Sequence, residues 1–187
     1  MRSTLRSPPI VGSVTNSIIL GYDAATLREK VDLKAVGERL AELGDLRSLT
    51  ALCEKAWLLK VAGQLDEALD VANEAVRLAR FTGDRKELVR PRLLRAQVLQ
   101  FRGAFDDAVH ELNACVDEAH IHEWTLYEAF SLQHRGKVYF DMGRFDEALA
   151  DFRSAADLRR ELGAPDEQIE SSLIAIAVTE SYLADRV

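Results

Sequence analysis

The side chains best suited to metal binding in this 187-residue chain are His120, His122 and Glu123, which stand together in one short segment. Imidazole and carboxylate groups are common zinc ligands, but a stable site needs three or four of them in a fixed geometry. Two histidines one residue apart point in opposite directions on an extended backbone, and a third fixed ligand is missing. The pattern therefore favours a polar loop, and we predict no metal and no other cofactor.

The two cysteines, Cys53 and Cys115, are the candidate nucleophiles. Cys115 takes the place that Ala75 and Ala155 hold in two similar segments, which predicts a packing role. Cys53 is the better candidate for a reactive thiol. The sequence offers no defensible catalytic triad, phosphate-binding glycine loop or serine elbow, so we expect no enzyme activity. Two separated cysteines without a CxxC motif indicate reduced thiols and a cytoplasmic protein.

The charge and hydropathy of the chain limit its partners. The formal net charge is −7, and non-specific binding to nucleic acid needs concentrated positive charge, so we expect no nucleic-acid partner. No segment is apolar enough for a membrane span, so we expect a soluble protein with no membrane partner. Residues 1–22 contain a Pro pair and scattered Ser and Thr, which predicts a flexible tail.

The elements that must position any site repeat every 40 residues. Three segments share a pattern of Gly, any residue, Leu or Phe, Asp, an acid, Ala, and Leu or Val; they are Val61–Leu69, Phe101–Val109 and Asp141–Leu149. The glycine can end one helix in a left-handed conformation, and the aspartate can stabilise the start of the next helix. The small alanine lets the two helices approach closely. A period of this length predicts an array of helix pairs.

Apolar residues at three-to-five spacing extend this pattern along the chain and indicate helices throughout, with no strand. We predict an all-α solenoid over residues 23–187. Its predicted parts are an N-terminal helix over 24–43, repeats over about 46–84, 86–123 and 124–163, and a C-terminal helix over 166–184.

The repeats resemble the tetratricopeptide repeat. The third copy carries the signature most fully, with Leu132, Gly136, Tyr139, Gly143, Phe145, Ala148, Phe152 and Ala155 at the family's spacing. The resemblance covers about residues 46–184 and implies a right-handed superhelix with a concave groove. The 40-residue period is similar to a longer variant of bacterial type. The sequence departs from the family at Lys55, Arg95 and Arg135, where Leu is usual, and the closing Pro is absent.

The resemblance also implies which side chains line the groove. They are amides, cations, aromatic residues and one thiol: Cys53, Trp57, Lys60, Arg90, Gln97, Gln100, Phe101, Phe130, Gln133, Lys137 and Phe140. Such a mixture is typical of a peptide-binding surface. The alternative is that the aromatic residues fill gaps between repeats and the cations are solvated. Chaperone-binding relatives have Lys and Asn where this chain has Cys53 and Trp57, so we do not expect recognition of a chaperone tail.

The predicted C-terminal helix is apolar on every side around residues 173–178. Such a helix needs burial on more than one face. We expect a second copy, a partner or a further domain to cover Leu173, Ile174, Ile176 and Val178, and a homodimer is one possibility.

These observations predict a non-enzymatic scaffold that binds a peptide or helix of a partner protein in its concave groove. The alternative is a regulatory or sensory input domain of a larger bacterial signalling or transcription-regulating protein.

Overall fold

A computed structural model describes residues 18–23 and 25–185, apart from the side chain of Thr82. Over these residues the chain forms one β-hairpin and eight α-helices. The strands are β1 (Ile19–Tyr22) and β2 (Glu29–Val31), and the helices are α1 (Leu33–Leu43), α2 (Leu49–Val61), α3 (Leu65–Thr82), α4 (Arg85–Phe101), α5 (Phe105–Ile121), α6 (Thr125–Asp141), α7 (Phe145–Glu161) and α8 (Asp166–Ala184). From α2 onward each helix packs against the next, and α2, α4 and α6 also pack side by side. The predicted helical repeat fold is confirmed.

The 40-residue period reappears as one turn geometry used three times. The first helix of each pair is followed by a glycine with a positive φ that suits glycine alone: Gly63 at 79°, Gly103 at 78° and Gly143 at 72°. The second helices begin two residues later and carry no side-chain N-cap hydrogen bond. The predicted aspartates, Asp66, Asp106 and Asp146, lie in the first turn, where their charge meets the positive end of the helix dipole.

Small residues bring the two helices of each pair into close contact. Ala68, Ala108 and Ala148 are completely buried at equivalent positions of the second helices. Gly136 of α6 also permits a close approach to Phe152 of α7, since a Cβ atom on Gly136 would lie 2.7 Å from Cε1 of Phe152. The signature residues therefore serve packing.

Arg95 and Arg135, two of the cations that depart from the family pattern, connect consecutive repeats. Arg135 donates to both carboxylate oxygens of Asp151, at 2.7 Å each, and to Oδ1 of Asn113 at 2.9 Å. Asp151 belongs to the same repeat and Asn113 to the preceding one. Arg95 makes the equivalent ion pair with Glu111 one repeat earlier. A guanidinium group has several donors in a fixed plane, so it can hold both helices at once.

The N-terminal prediction is wrong in two respects. The segment predicted as a helix from residue 24 contains β2, and α1 begins only at Leu33. The predicted tail of residues 1–22 includes β1; residues 1–17 lie outside the described part of the chain. Local hydrogen bonds explain the change, because Asp23 Oδ1 accepts from the backbone N–H groups of Ala25 and Thr26 at 3.0 Å. Such a turn competes with helix formation.

Candidate functional site

The first helices of the three repeats present one shared face. We call this face the groove and define it by Lys60 of α2, Gln97, Gln100 and Phe101 of α4, and His134 and Lys137 of α6. The tip of the β-hairpin, residues 26–29, lies across the groove and closes a small pocket with these side chains.

A buried row of polar side chains crosses the groove from helix to helix. Lys60 is only 2% exposed, and its Nζ donates to Gln97 Oε1 at 2.9 Å. The amide nitrogen of Gln97 therefore faces Nε2 of His134, 3.2 Å away, and donates to it. This assignment places the imidazole proton on Nδ1, which finds no partner among the described residues. Burial, with the nearby charges of Lys137 and Lys60, holds the pKa of His134 well below its usual value.

The hairpin supplies the negative charge for this row. Glu29 Oε2 lies 3.8 Å from Lys60 Nζ. Burial alone would raise the pKa of Glu29, but the positive charges of Lys60 and Lys137 outweigh it and lower the pKa to about 2. Burial lowers the pKa of Lys60, and the Glu29 charge opposes that shift. The carboxylate thus compensates a cation that would otherwise be isolated beneath the hairpin.

A second charged contact lies at the end of α4 and α6. Asp141 Oδ2 accepts from Gln100 Nε2 at 2.9 Å and from Arg28 of the hairpin at 3.2 Å. The Arg28 guanidinium group also stacks over the ring of Phe101, 4.4 Å from its centroid. The groove therefore holds the arginine by charge, by hydrogen bonding and by an aromatic face.

The third contact is apolar. Leu27 is 3% exposed and belongs to a buried cluster with Phe140, Phe145 and Ala175. The hydroxyl of Tyr182 in α8 donates to the backbone carbonyl of Ala25 at 3.4 Å. Three successive residues of the hairpin, Leu27 to Glu29, thus meet an apolar, an acidic and a basic part of the groove in turn.

The structure brings most of the predicted groove residues together. Those near the hairpin tip are Lys60, Gln97, Gln100, Phe101, Lys137 and Phe140. Lys137 Nζ lies 5.7 Å from the ring centroid of Tyr22 in β1.

The other predicted groove residues lie elsewhere. Trp57 packs against a separate buried cluster that includes Val36 of α1 and Leu58 of α2. Cys53 is buried with Leu52 and Ala75, and burial raises the pKa of its thiol to about 11, although the charge of Arg90 acts in the opposite direction.

Phe130 and Gln133 contribute to a separate buried network around Arg159. One terminal nitrogen of Arg159 donates to Ser172 Oγ and to the Gln168 carbonyl, at 2.7 Å each. The same nitrogen lies 3.3 Å from Gln133 Oε1, and the guanidinium group stacks over Phe130 at 5.2 Å. Burial lowers the pKa of Arg159 to about 10. This network ties α6 and α7 to α8.

His134 and the hairpin triplet were not predicted as site residues. His134 could have been recognised, because it lies three residues before Lys137 and therefore on the same helix face. No local signal identifies Leu27, Arg28 and Glu29, since their partners are far away in the sequence.

The C-terminal helix keeps part of its apolar surface open. Leu173 and Ile174 are 42% and 38% exposed, whereas Ile176 and Val178 pack partly against the buried cluster that contains Leu27 and Phe140.

In the segment considered for metal binding, His120 pairs with Glu128 at 2.9 Å and His122 stacks on Trp124, with 4.7 Å between the ring centroids.

Comparison with known proteins agrees with this architecture. The model of the tetratricopeptide repeat family matches residues 131–164. The solved structure of the apo form of RapI is 13% identical, with a TM-score of 0.63 over 82% of this chain and 57% of that one. BtubC from P. vanneervenii is 14% identical, with a TM-score of 0.60 over 81% of this chain and 65% of that one. The chain thus spans less than two thirds of each. No curated protein matches its sequence.

These findings define the class: the chain is an all-α helical repeat protein, and its third repeat is similar to the tetratricopeptide repeat. The two structural neighbours establish the fold. Such repeats generally mediate protein–protein contacts and are typically not enzymes. Among the described helices, none combines the length and apolar character that a membrane crossing requires.

Proposed function

We propose that this chain is a non-enzymatic interaction module whose groove holds a short segment of a partner protein. One observation carries the proposal: the groove already seats a peptide segment, the hairpin tip, through side chains of three different repeats. Its partner is a protein or peptide. The negative charge of the chain argues against nucleic acid, and its two buried free cysteines support our inference of a cytoplasmic location.

The chemistry of the groove supports a peptide ligand. Amide groups of Gln97 and Gln100 offer donors and acceptors, Lys60 and Lys137 offer positive charge, and Phe101 offers a flat apolar surface. Specific interfaces combine such aromatic anchors with a few directed polar groups. Within residues 18–23 and 25–185, no cluster of nucleophile and base accompanies them, so binding rather than catalysis is the function that these residues support best.

A second candidate is a regulatory input domain of a larger bacterial signalling or transcription-regulating protein. The open apolar surface at Leu173 and Ile174 favours it, because a further domain or a second copy of this chain could cover that surface.

An affinity capture followed by mass spectrometry tests the proposal. The immobilised wild-type chain is compared with Lys137→Glu, which reverses a charge in the groove. Lys34→Glu is the matched control, because the Lys34 side chain is 85% exposed on α1. We expect the wild type and Lys34→Glu to retain a common set of proteins that Lys137→Glu does not retain. Equal retention by all three, with unchanged helical signal, would show that the groove is not the binding surface.

A further inference from the structure

The hairpin tip is bound in the groove like a ligand. Two backbone hydrogen bonds close the tip within the hairpin: Asp23 N–H donates to the Arg28 carbonyl and Leu27 N–H to the Asp23 carbonyl, both at 2.8 Å. What holds it to the helices is mainly the side chains of the triplet Leu27–Glu29. A segment that keeps its own backbone hydrogen bonds can leave the groove without exposing unpaired peptide groups.

Three features weaken the hold of the groove on the hairpin. Leu27 has a φ of 56°, a left-handed conformation that is strained for a non-glycine residue. Nε of Arg28 is buried and finds no hydrogen-bond partner among the residues that the structure describes. The strands are also short, and β1 bulges at Leu20, because Ile19 pairs with Val31 but Gly21 with Lys30. Strain, an orphaned donor and a short ladder lower the cost of release.

We propose that the hairpin tip is an internal ligand of the groove, and that the partner displaces it with a segment of the same chemistry. This inference rests on the proposed function of the groove. The partner segment carries an apolar residue, a basic residue and an acidic residue in succession. These side chains replace Leu27 against Phe140, Arg28 between Asp141 and Phe101, and Glu29 beside Lys60.

Burial and charge give the reason why the replacement must match in type. Lys60 is 2% exposed, and Asp141 has a side chain 12% exposed, so each needs an opposite charge when water is excluded. A segment with the two charges exchanged would place a cation on Lys60 and an anion on Asp141. The groove therefore selects the order basic then acidic.

The test uses a fluorescent synthetic peptide of residues 18–32 and measures its binding to full-length chains by anisotropy. One full-length chain carries Leu27→Asn/Arg28→Glu, and we call it the opened variant. Asn at position 27 tolerates the left-handed backbone, and Glu at position 28 faces Asp141 with a like charge. This variant should release its own hairpin. Leu20→Asn is the matched control, because Leu20 is 70% exposed on the same hairpin. The side-chain amide signals of Gln97 and Gln100 in nuclear magnetic resonance report release, because both side chains line the pocket that the tip closes, and the helical signal reports folding.

The opened variant should bind the peptide about tenfold or more tighter than the wild type and the Leu20→Asn control. An intramolecular competitor reduces the apparent affinity in proportion to the fraction of molecules whose groove is open. The opened variant should not bind a peptide that carries the same two substitutions. Asp141→Lys provides a second variant that opens the hairpin from the helix side. It should bind the Arg28→Glu peptide better than the natural one.

Equal affinity of the opened variant, the wild type and the control would overturn the inference but leave groove binding intact. Absence of peptide binding would also overturn it, if the variant is folded and its Gln97 and Gln100 signals show that the hairpin has left the groove. Failure of the proposed function is distinguishable, because in that case Lys137→Glu would not alter capture of any protein.

Discussion

Acidification from pH 8 to pH 5.5 should destabilise the folded chain through His134. Four charged groups face its imidazole from the packed elements: Lys60, Lys137, Arg159 and, from the hairpin, Glu29. Three are cations and one is an anion, so the surroundings add to burial in opposing an imidazolium charge. The unfolded chain takes up a proton near pH 6.5, whereas folded His134 remains neutral to much lower pH. The unfolded state therefore binds more protons, and the free energy of unfolding falls as pH falls.

The magnitude follows from the unfolded pKa. At pH 5.5, one pH unit below it, the free energy of unfolding should be lower by about 1.4 kcal/mol than at pH 8. For a chain of this size the melting temperature should fall by roughly 3–6 °C. Glu29 does not contribute to this window. Its pKa is lowered to about 2, so the stability that it confers is present above pH 4.5 and lost below that value.

Thermal melts followed by circular dichroism between pH 8 and pH 5.5 test this prediction. In the variant His134→Gln, the amide can still accept from Gln97 but does not titrate. The dependence of the melting temperature on pH between pH 8 and pH 5.5 should therefore largely disappear. The other three histidines, His110, His120 and His122, are exposed and remain in place as an internal control. If the wild type and His134→Gln lose stability equally on acidification, the reasoning about the buried imidazole is wrong.

Two further predictions concern packing. Gly136→Ala should lower the free energy of unfolding by about 1–3 kcal/mol, because the new methyl group collides with Phe152. Gly37 lies in α1, and a methyl group there would meet nothing within 4 Å. Gly37→Ala should therefore raise the free energy of unfolding by about 0.5–1 kcal/mol. Denaturant unfolding of both variants checks these signs, and two changes of the same sign would contradict the packing argument. Cys53 and Cys115 are buried with pKa values raised to about 11 and about 12, so a thiol reagent should modify them only after unfolding. Rapid modification of the native chain at pH 7 would refute their assigned burial.

The helical array was predictable from the sequence because its determinants are local and repeated. A glycine that ends one helix and an acid and a small residue that begin the next occur three times at a spacing of 40 residues. Each copy supports the same interpretation, so single ambiguities do not matter. The cations at Arg95 and Arg135 looked like departures from the family, yet their partners Glu111 and Asp151 recur at the same period.

The hairpin was not predictable for the opposite reason. Leu27, Val31 and Val36 have a spacing that suits one face of a helix, and the local pattern predicted a helix there. The burial of Leu27 depends on Phe140, which lies in the third repeat and contacts the Leu27 cluster only in the folded chain. Tertiary contacts of this kind override local propensity. The same holds for the groove, where sequence reasoning identified Lys60 but not the residue that pairs with it, Glu29.

The most direct test of the account is to locate the binding surface by nuclear magnetic resonance. The side-chain amide groups of Gln97 and Gln100 are hydrogen-bonded inside the groove, whereas Gln64 is exposed in the turn between α2 and α3. The isotopically labelled chain is titrated with the segment of a partner recovered by the Lys137-dependent capture. We predict that the amide signals of Gln97 and Gln100 shift and that the signal of Gln64 does not. Binding that leaves both groove amides unchanged would contradict the central claim that the groove holds the partner.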